Sequence, residues 1–162
     1  MVTVGGSGVG ASLLRQLIAA FPAARELVPS LRMIAVTGPR IDPAGLRSID
    51  GLEVRGYLPD LHRHLTACDI AVVQGGLATT MELTAARRPF IYFPLGRHFE
   101  QQFHVAHRLD RHRAGRRMNA TTATPEEIAG AIAAELSRQP DVLPVPAGGA
   151  KRAAARIAEL LA

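Results

Sequence analysis

The sequence predicts an α/β domain, a parallel Rossmann-like sheet with helices on both faces. Short apolar, β-branched runs of strand length recur along the chain without the polar alternation of a sheet that has one wet face; such runs suit strands buried on both sides. Segments of helical spacing lie between them, and this alternation is the pattern of βαβ units.

The strand runs are residues 2–4 (VTV), 33–37 (MIAVT), 52–57 (LEVRGY), 69–74 (DIAVVQ) and 90–94 (FIYFP). Leu13, Leu14, Leu17, Ile18 and Phe21 form one apolar helical stripe. A later helix opens at Thr124 as N-cap, with Pro125 at its first position and Glu127 completing a capping box. Pro140, Pro144, Pro146, Gly148 and Gly149 mark residues 140–149 as a linker between a body of residues 1–139 and a closing helix over 150–162. That helix carries Ile157, Leu160 and Leu161, which call for a partner surface.

The 162 residues fit one domain, and a chain of this size buries about 68–70% of its unfolded surface. Apolar residues make up 48% and charged residues 20%, ordinary globular values, and no apolar run approaches the ~20 residues of a membrane span. The opening lacks a basic n-region and a cleavage site, and Cys68 stands alone, so a cytoplasmic, reducing location is expected. A net charge of +5 and a pI near 10.6 raise the question of nucleic acid. The arginines are mostly scattered, however, with one cluster, HRLDRHRAGRR at 107–117, and the chain has no Trp and neither a zinc-finger nor an RNP pattern. A solvated face or a local anion site fits better than a nucleic-acid partner. Peripheral approach to anionic lipids at the inner membrane face stays open.

The stretch VTVGGSGVGAS can be tested against three phosphate-binding motifs. Gly5 to Ser12 matches a P-loop except that Ala11 stands where the lysine must reach the β/γ-phosphates. Gly6-x-Gly8-x-x-Ala11 matches a dinucleotide fingerprint, but strand two ends in Thr37-Gly38-Pro39, without the acid that holds a ribose. What remains is a backbone anion site or a tight turn that needs glycine. A second turn of this kind follows residue 74: Gly75-Gly76, then a helix expected from Thr79 or Thr80 with Glu82 in its first turn. Thr79 and Glu82 form either a capping box or part of a ligand site. If the two turns leave neighbouring parallel strands, two helix N-termini meet at the carboxyl edge of the sheet, where open α/β sheets bind ligands.

The order of motifs carries a resemblance. GGSGVG, then GYLPDLHRHLTACDIAVVQGG, Thr79-Thr80-x-Glu82, Pro89, Pro94 and EQQFHVAHRL followed by Ala114-Gly115 resemble the carboxyl-terminal, donor-binding half of GT-B glycosyltransferases. The likeness covers roughly residues 2–118 and is to the MurG-like type of glycosyltransferase family 28. Plant and animal UDP-glycosyltransferases are wider relatives. The resemblance implies a UDP-sugar donor, with inverting, metal-independent transfer of N-acetylglucosamine and no cofactor. It sets Gly6, Ser7 and Gly8 near the diphosphate, with Gly75, Gly76, Thr79 and Thr80 in the same donor site. It brings the backbone of Leu58 to the uracil, Glu82 to the ribose hydroxyls, and Gln101 and Gln102 to the sugar. Gln74 and Val105 depart from the family's usual histidine and asparagine. The general base and acceptor pocket belong to an amino-terminal domain or subunit, so this chain alone is expected to bind donor and hardly turn it over. No metal site is expected, since His62/His64 and His104/His107 lack a carboxylate or cysteine complement at ligand spacing. A nucleotide-sugar epimerase or hydrolase of the same fold, or a non-catalytic nucleotide-binding module, remain the alternatives.

Overall fold

The structure is a computed structural model that describes residues 1–6 and 8–161. Its strands are β1 (Val2–Thr3), β2 (Met33–Val36), β3 (Leu52–Arg55), β4 (Ala71–Gln74), β5 (Phe90–Phe93) and β6 (Arg116–Arg117). They form one six-stranded sheet in the order β3-β2-β1-β4-β5-β6, and every neighbouring pair is parallel. The predicted fold class holds, and the five predicted runs become β1 to β5, each shortened at an end. The sixth strand lies inside the 107–117 arginine cluster, which is therefore not one solvated face. Gly115 makes the turn into it at φ +69°, and a Cβ there would come within 2.6 Å of the Phe90 ring.

The helices are α1 (Ala11–Ala19), α2 (Phe21–Leu27), α3 (Leu61–Ala67), α4 (Leu77–Ala85), α5 (Ala106–His112), α6 (Pro125–Ser137) and α7 (Gly149–Leu161). Side chains of β5 alternate between two cores, which is why the strand reads as unbroken apolar sequence. Ile91 and Phe93 join Leu14, Leu17, Phe21, Ile128 and Ile132 of α1, α2 and α6 on one face. Phe90 and Tyr92 join Leu65, Leu83 and Leu109 of α3, α4 and α5 on the other. Burial pushes the Tyr92 phenol above its ordinary range, with Arg117 pulling the other way, so it is a neutral core group.

The stripe from Leu13 to Phe21 is not one helix. Pro22 stands in the first turn of α2 and lacks the N–H that would continue α1, so the chain re-initiates after Ala20. The stripe itself survives, since Leu14, Leu17 and Phe21 are all fully buried. At α6 the capping box forms as expected: Glu127 N–H donates to Thr124 Oγ1 at 3.2 Å, and Thr124 N–H donates to the Glu127 carboxylate at 2.9 Å. Thr124→Ala is expected to cost about 1 kcal/mol, read as a lower urea midpoint at unchanged slope. In α7 Ile157, Leu160 and Leu161 are exposed, and none of its described residues is buried. Among the described residues no helix is long and apolar enough to cross a membrane.

Candidate functional site

β1 lies between β2 and β4, so the direction of strand progression reverses there. Loops leaving β1 and β4 part to opposite faces and open a crevice at the carboxyl edge. Both predicted glycine turns sit on this crevice.

The glycines of the first turn divide the work. Gly5 takes φ +79°, and Gly38, at the end of β2 with φ +76°, packs so closely that a Cβ would stand 2.7 Å from the Gly5 carbonyl oxygen. Gly10 brings α1 onto β1: its Cβ would overlap the Val4 side chain, with Cγ2 at 2.7 Å. Gly6 and Gly8, by contrast, have no atom within 4 Å of a Cβ position; they are open where the others are filled. Ser7 lies outside the described residues. Gly8–Gly10 forms one 3-10 turn, and α1 then starts with no side-chain cap and no acid in its first turn, leaving N–H groups free at a positive helix end.

The second turn differs from the expectation. α4 begins at Leu77, with extended Gly76 as N-cap and no side-chain cap, so Glu82 lies beyond the first turn and the Thr79–Glu82 capping box does not form. The reason is local: the strand ends at Gln74, Gly76 stands extended as the N-cap, and Leu77 and Ala78, both good helix formers, already continue as helix. Thr80, expected beside Thr79 at the site, is fully buried, and its hydroxyl donates to the carbonyls of Gly76 (2.9 Å) and Leu77 (3.1 Å). It fastens the helix start. Gly75 is tight, with a Cβ position 3.0 Å from Pro94 Cα, whereas Gly76 is open.

Beside the first turn and α4 lies a cavity of about 550 Å³ that collects Gly6, Leu58, Thr79 and Glu82 from three segments, whereas Gly8, Gly75, Gly76 and Thr80 do not line it. Glu82 is exposed and belongs to none of the ion pairs among the described residues. The cavity also holds Asp60, which the sequence reading missed. Asp60 precedes α3 in the left-handed region at φ 50°, yet caps it with no side-chain bond, so its carboxylate is free beside the cavity. The signal was Pro59-Asp60: proline pre-sets a turn, and Asp tolerates this conformation better than most residues.

On the α1 side of β4 a second cavity, about 620 Å³, is lined by Ser12, Gln74, Gln102, Arg117 and Asn119, among others. Glu100–Val105 is a π-helical turn, a form that recurs at functional sites. It carries both glutamines toward the end of β5. Gln101 is buried and its Oε1 accepts from Leu95 N–H at 2.9 Å. Gln102 Nε2 donates to the Leu95 carbonyl at 2.9 Å, and its Oε1 accepts from Arg117. The pair therefore clamps the chain after β5 rather than presenting an exposed helical face, and only Gln102 lines the cavity. Gln74 ends β4 between the two turns. Its Nε2 is buried with no hydrogen-bond partner, a state that costs about 1–3 kcal/mol unless an acceptor arrives. Among the described residues no group of three or more His, Cys, Asp or Glu is placed to hold a metal.

An uncharacterized glycosyltransferase of Methanosarcina mazei is 30% identical over 131 residues, covering 80% of this chain and 33% of the relative. The chain spans about a third of the length of the curated relatives it matches. Among solved structures, the spinosyn rhamnosyltransferase SpnG complexed with thymidine diphosphate superposes with a TM-score of 0.63 at 24% identity, over 85% of this chain and 37% of that one. Arabidopsis thaliana UGT89C1 complexed with UDP gives 0.60 at 22%, over 85% and 34%. At these identities the structures establish the fold. The model of the glycosyltransferase family 28 C-terminal domain matches residues 1–161, and the chain belongs to that family.

Proposed function

We propose that this domain binds a UDP-sugar in the β1/β4 crevice and, with an acceptor-binding domain, transfers the sugar, N-acetylglucosamine, with inversion and without a metal. One observation carries the reading: Gly6 of the turn after β1 and Thr79 and Glu82 of the helix after β4 line one cavity at the strand reversal, and the Glu82 carboxylate joins no ion pair among the described residues. The similar structures with thymidine diphosphate and UDP support a nucleoside diphosphate as ligand.

In this reading Gly6, Ser7 and Gly8 offer N–H groups to the diphosphate, and Gly76 leaves room for it opposite. The α1 and α4 N-termini stabilise the charge that develops on the leaving diphosphate, which is the costly part of the reaction. The Leu58 backbone meets the base. Glu82 accepts two ribose hydroxyls, helped by Thr79, and Gln102 and Gln74 face the sugar end. The acceptor's general base lies in the partner domain.

Calorimetric titration with UDP, thymidine diphosphate and UDP-N-acetylglucosamine tests the reading. UDP should bind, the UDP-sugar more tightly, and silence toward all three ligands would remove the proposal. Gln74→Leu gives a sharper test, because an orphaned buried donor destabilises the empty domain and serves only the complex. The variant is expected to be as stable as the parent or more so, while binding UDP-sugar about tenfold more weakly. Lost stability with unchanged affinity would show Gln74 to be structural.

A further inference from the structure

A third groove, about 680 Å³, shares no lining residue with the two crevice cavities. One wall is the outer face of the 100–112 helical run, which contributes His104, His107, Arg108, Arg111 and His112. Met81 of α4 stands at its side, next in sequence to Glu82 but about 100° further round the helix. The other wall is Leu143, Pro144 and Pro146, from the segment between α6 and α7.

That segment is tied down. Leu143 N–H donates to the His112 carbonyl at 2.9 Å, and Leu143 O lies 3.3 Å from His112 Nδ1. Arg113 pairs with Asp141 at 3.0 Å. These contacts seat an uncharged wall along the α5 cations, and Asp141, the carboxylate of that segment, is engaged by Arg113. No Asp or Glu lines the groove, and neither Arg108 nor Arg111 belongs to an ion pair among the described residues. Residues three and four apart on a helix are neighbours, and like charges there repel. Here Arg108 and Arg111 share one face with His104 and His107, and among the described residues no carboxylate pairs with either, Asp110 on the same helix included. Two guanidinium forks side by side match the oxygens of a phosphate, and imidazoles add donors. The histidines do not make a metal site, since no such group exists among the described residues. With no Phe, Tyr or Trp in the lining, the groove also lacks a platform for stacked bases.

We propose that this groove is a second anion site, separate from the donor crevice, in which Arg108 and Arg111 hold a phosphate or diphosphate group while Met81, Leu143, Pro144 and Pro146 cover what it is attached to. The group can come from a soluble phosphate ester or from a lipid headgroup, and two arms separate these sources. In the first, sodium pyrophosphate is titrated into the ¹⁵N-labelled chain with UDP present throughout. Saturable shifts are expected at the amides of residues 104–112 and 142–143. In the second, flotation with phosphatidylglycerol-containing vesicles is compared with phosphatidylcholine alone.

Arg108→Gln/Arg111→Gln replaces two exposed side chains, and a preserved amide spectrum will show that the fold survives. The double variant should weaken binding of the active probe at least about tenfold. Response to pyrophosphate assigns the soluble source, and response to anionic vesicles alone assigns the headgroup; either supports the site. Silence toward both probes overturns it, as does binding that is indifferent to the two arginines.

Discussion

Gly10→Ala is expected to destabilise the domain by about 2–3 kcal/mol, while Gly6→Ala, four residues earlier in the same loop, leaves stability within about 0.5 kcal/mol of the parent. The difference lies in what each new methyl meets. At Gly10 it runs into Val4, whose side chain is fully buried between α1 and β1, so α1 must move off the sheet. A close-packed interior absorbs such a shift poorly. At Gly6 the methyl meets nothing within 4 Å, and the backbone there is not in the left-handed region. It projects instead into the space where the proposed reading places the diphosphate against backbone N–H groups. Gly6→Ala should therefore keep its denaturation midpoint and bind UDP about tenfold more weakly, the reverse of a purely structural glycine. A large stability loss at Gly6 and none at Gly10 would contradict this division.

Glu82→Ala is expected to lower affinity for UDP and for UDP-sugar alike, by roughly 10- to 100-fold, the loss of charge-assisted bonds to two hydroxyls. Stability should barely change, because the exposed carboxylate neither caps α4 nor joins an ion pair among the described residues. Gln102→Ala should behave differently. It removes only the increment that the sugar adds to UDP binding, although it also frees Arg117 and the Leu95 carbonyl. Calorimetry on both variants with both ligands separates the roles, and equal losses in all four titrations would refute them.

The two glutamines show where sequence reading stops. Their adjacency is plain in Glu100-Gln101-Gln102, but the π-helical turn that carries both toward Leu95 is not written in any short pattern. The same holds for Gln74. Its identity is a matter of sequence, whereas the missing partner for Nε2 depends on what β1, β5 and α1 leave around it. Of the two readings of Thr79–Glu82, the structure removes the capping box and leaves both residues at the cavity. A capping box satisfies N–H groups only where a helix starts, and Gly76 had already started this one. At Thr124, where proline and the strand-like approach allow one start, the same pattern held.

By itself, then, the sequence determined the alternation of strands and helices, the two-faced burial of β5, the α6 cap and the pair of glycine turns. These follow from periodicity, backbone sterics and local hydrogen bonding, all of which act within a few residues. Only the tertiary structure decided that β1 and β4 are neighbours, that Gly10 is filled while Gly6 is open, and that Glu82 and Asp60 stand at one cavity with Gly6 and Leu58. Those outcomes depend on strand order and on distances between segments far apart in the chain, which packing sets and local sequence does not.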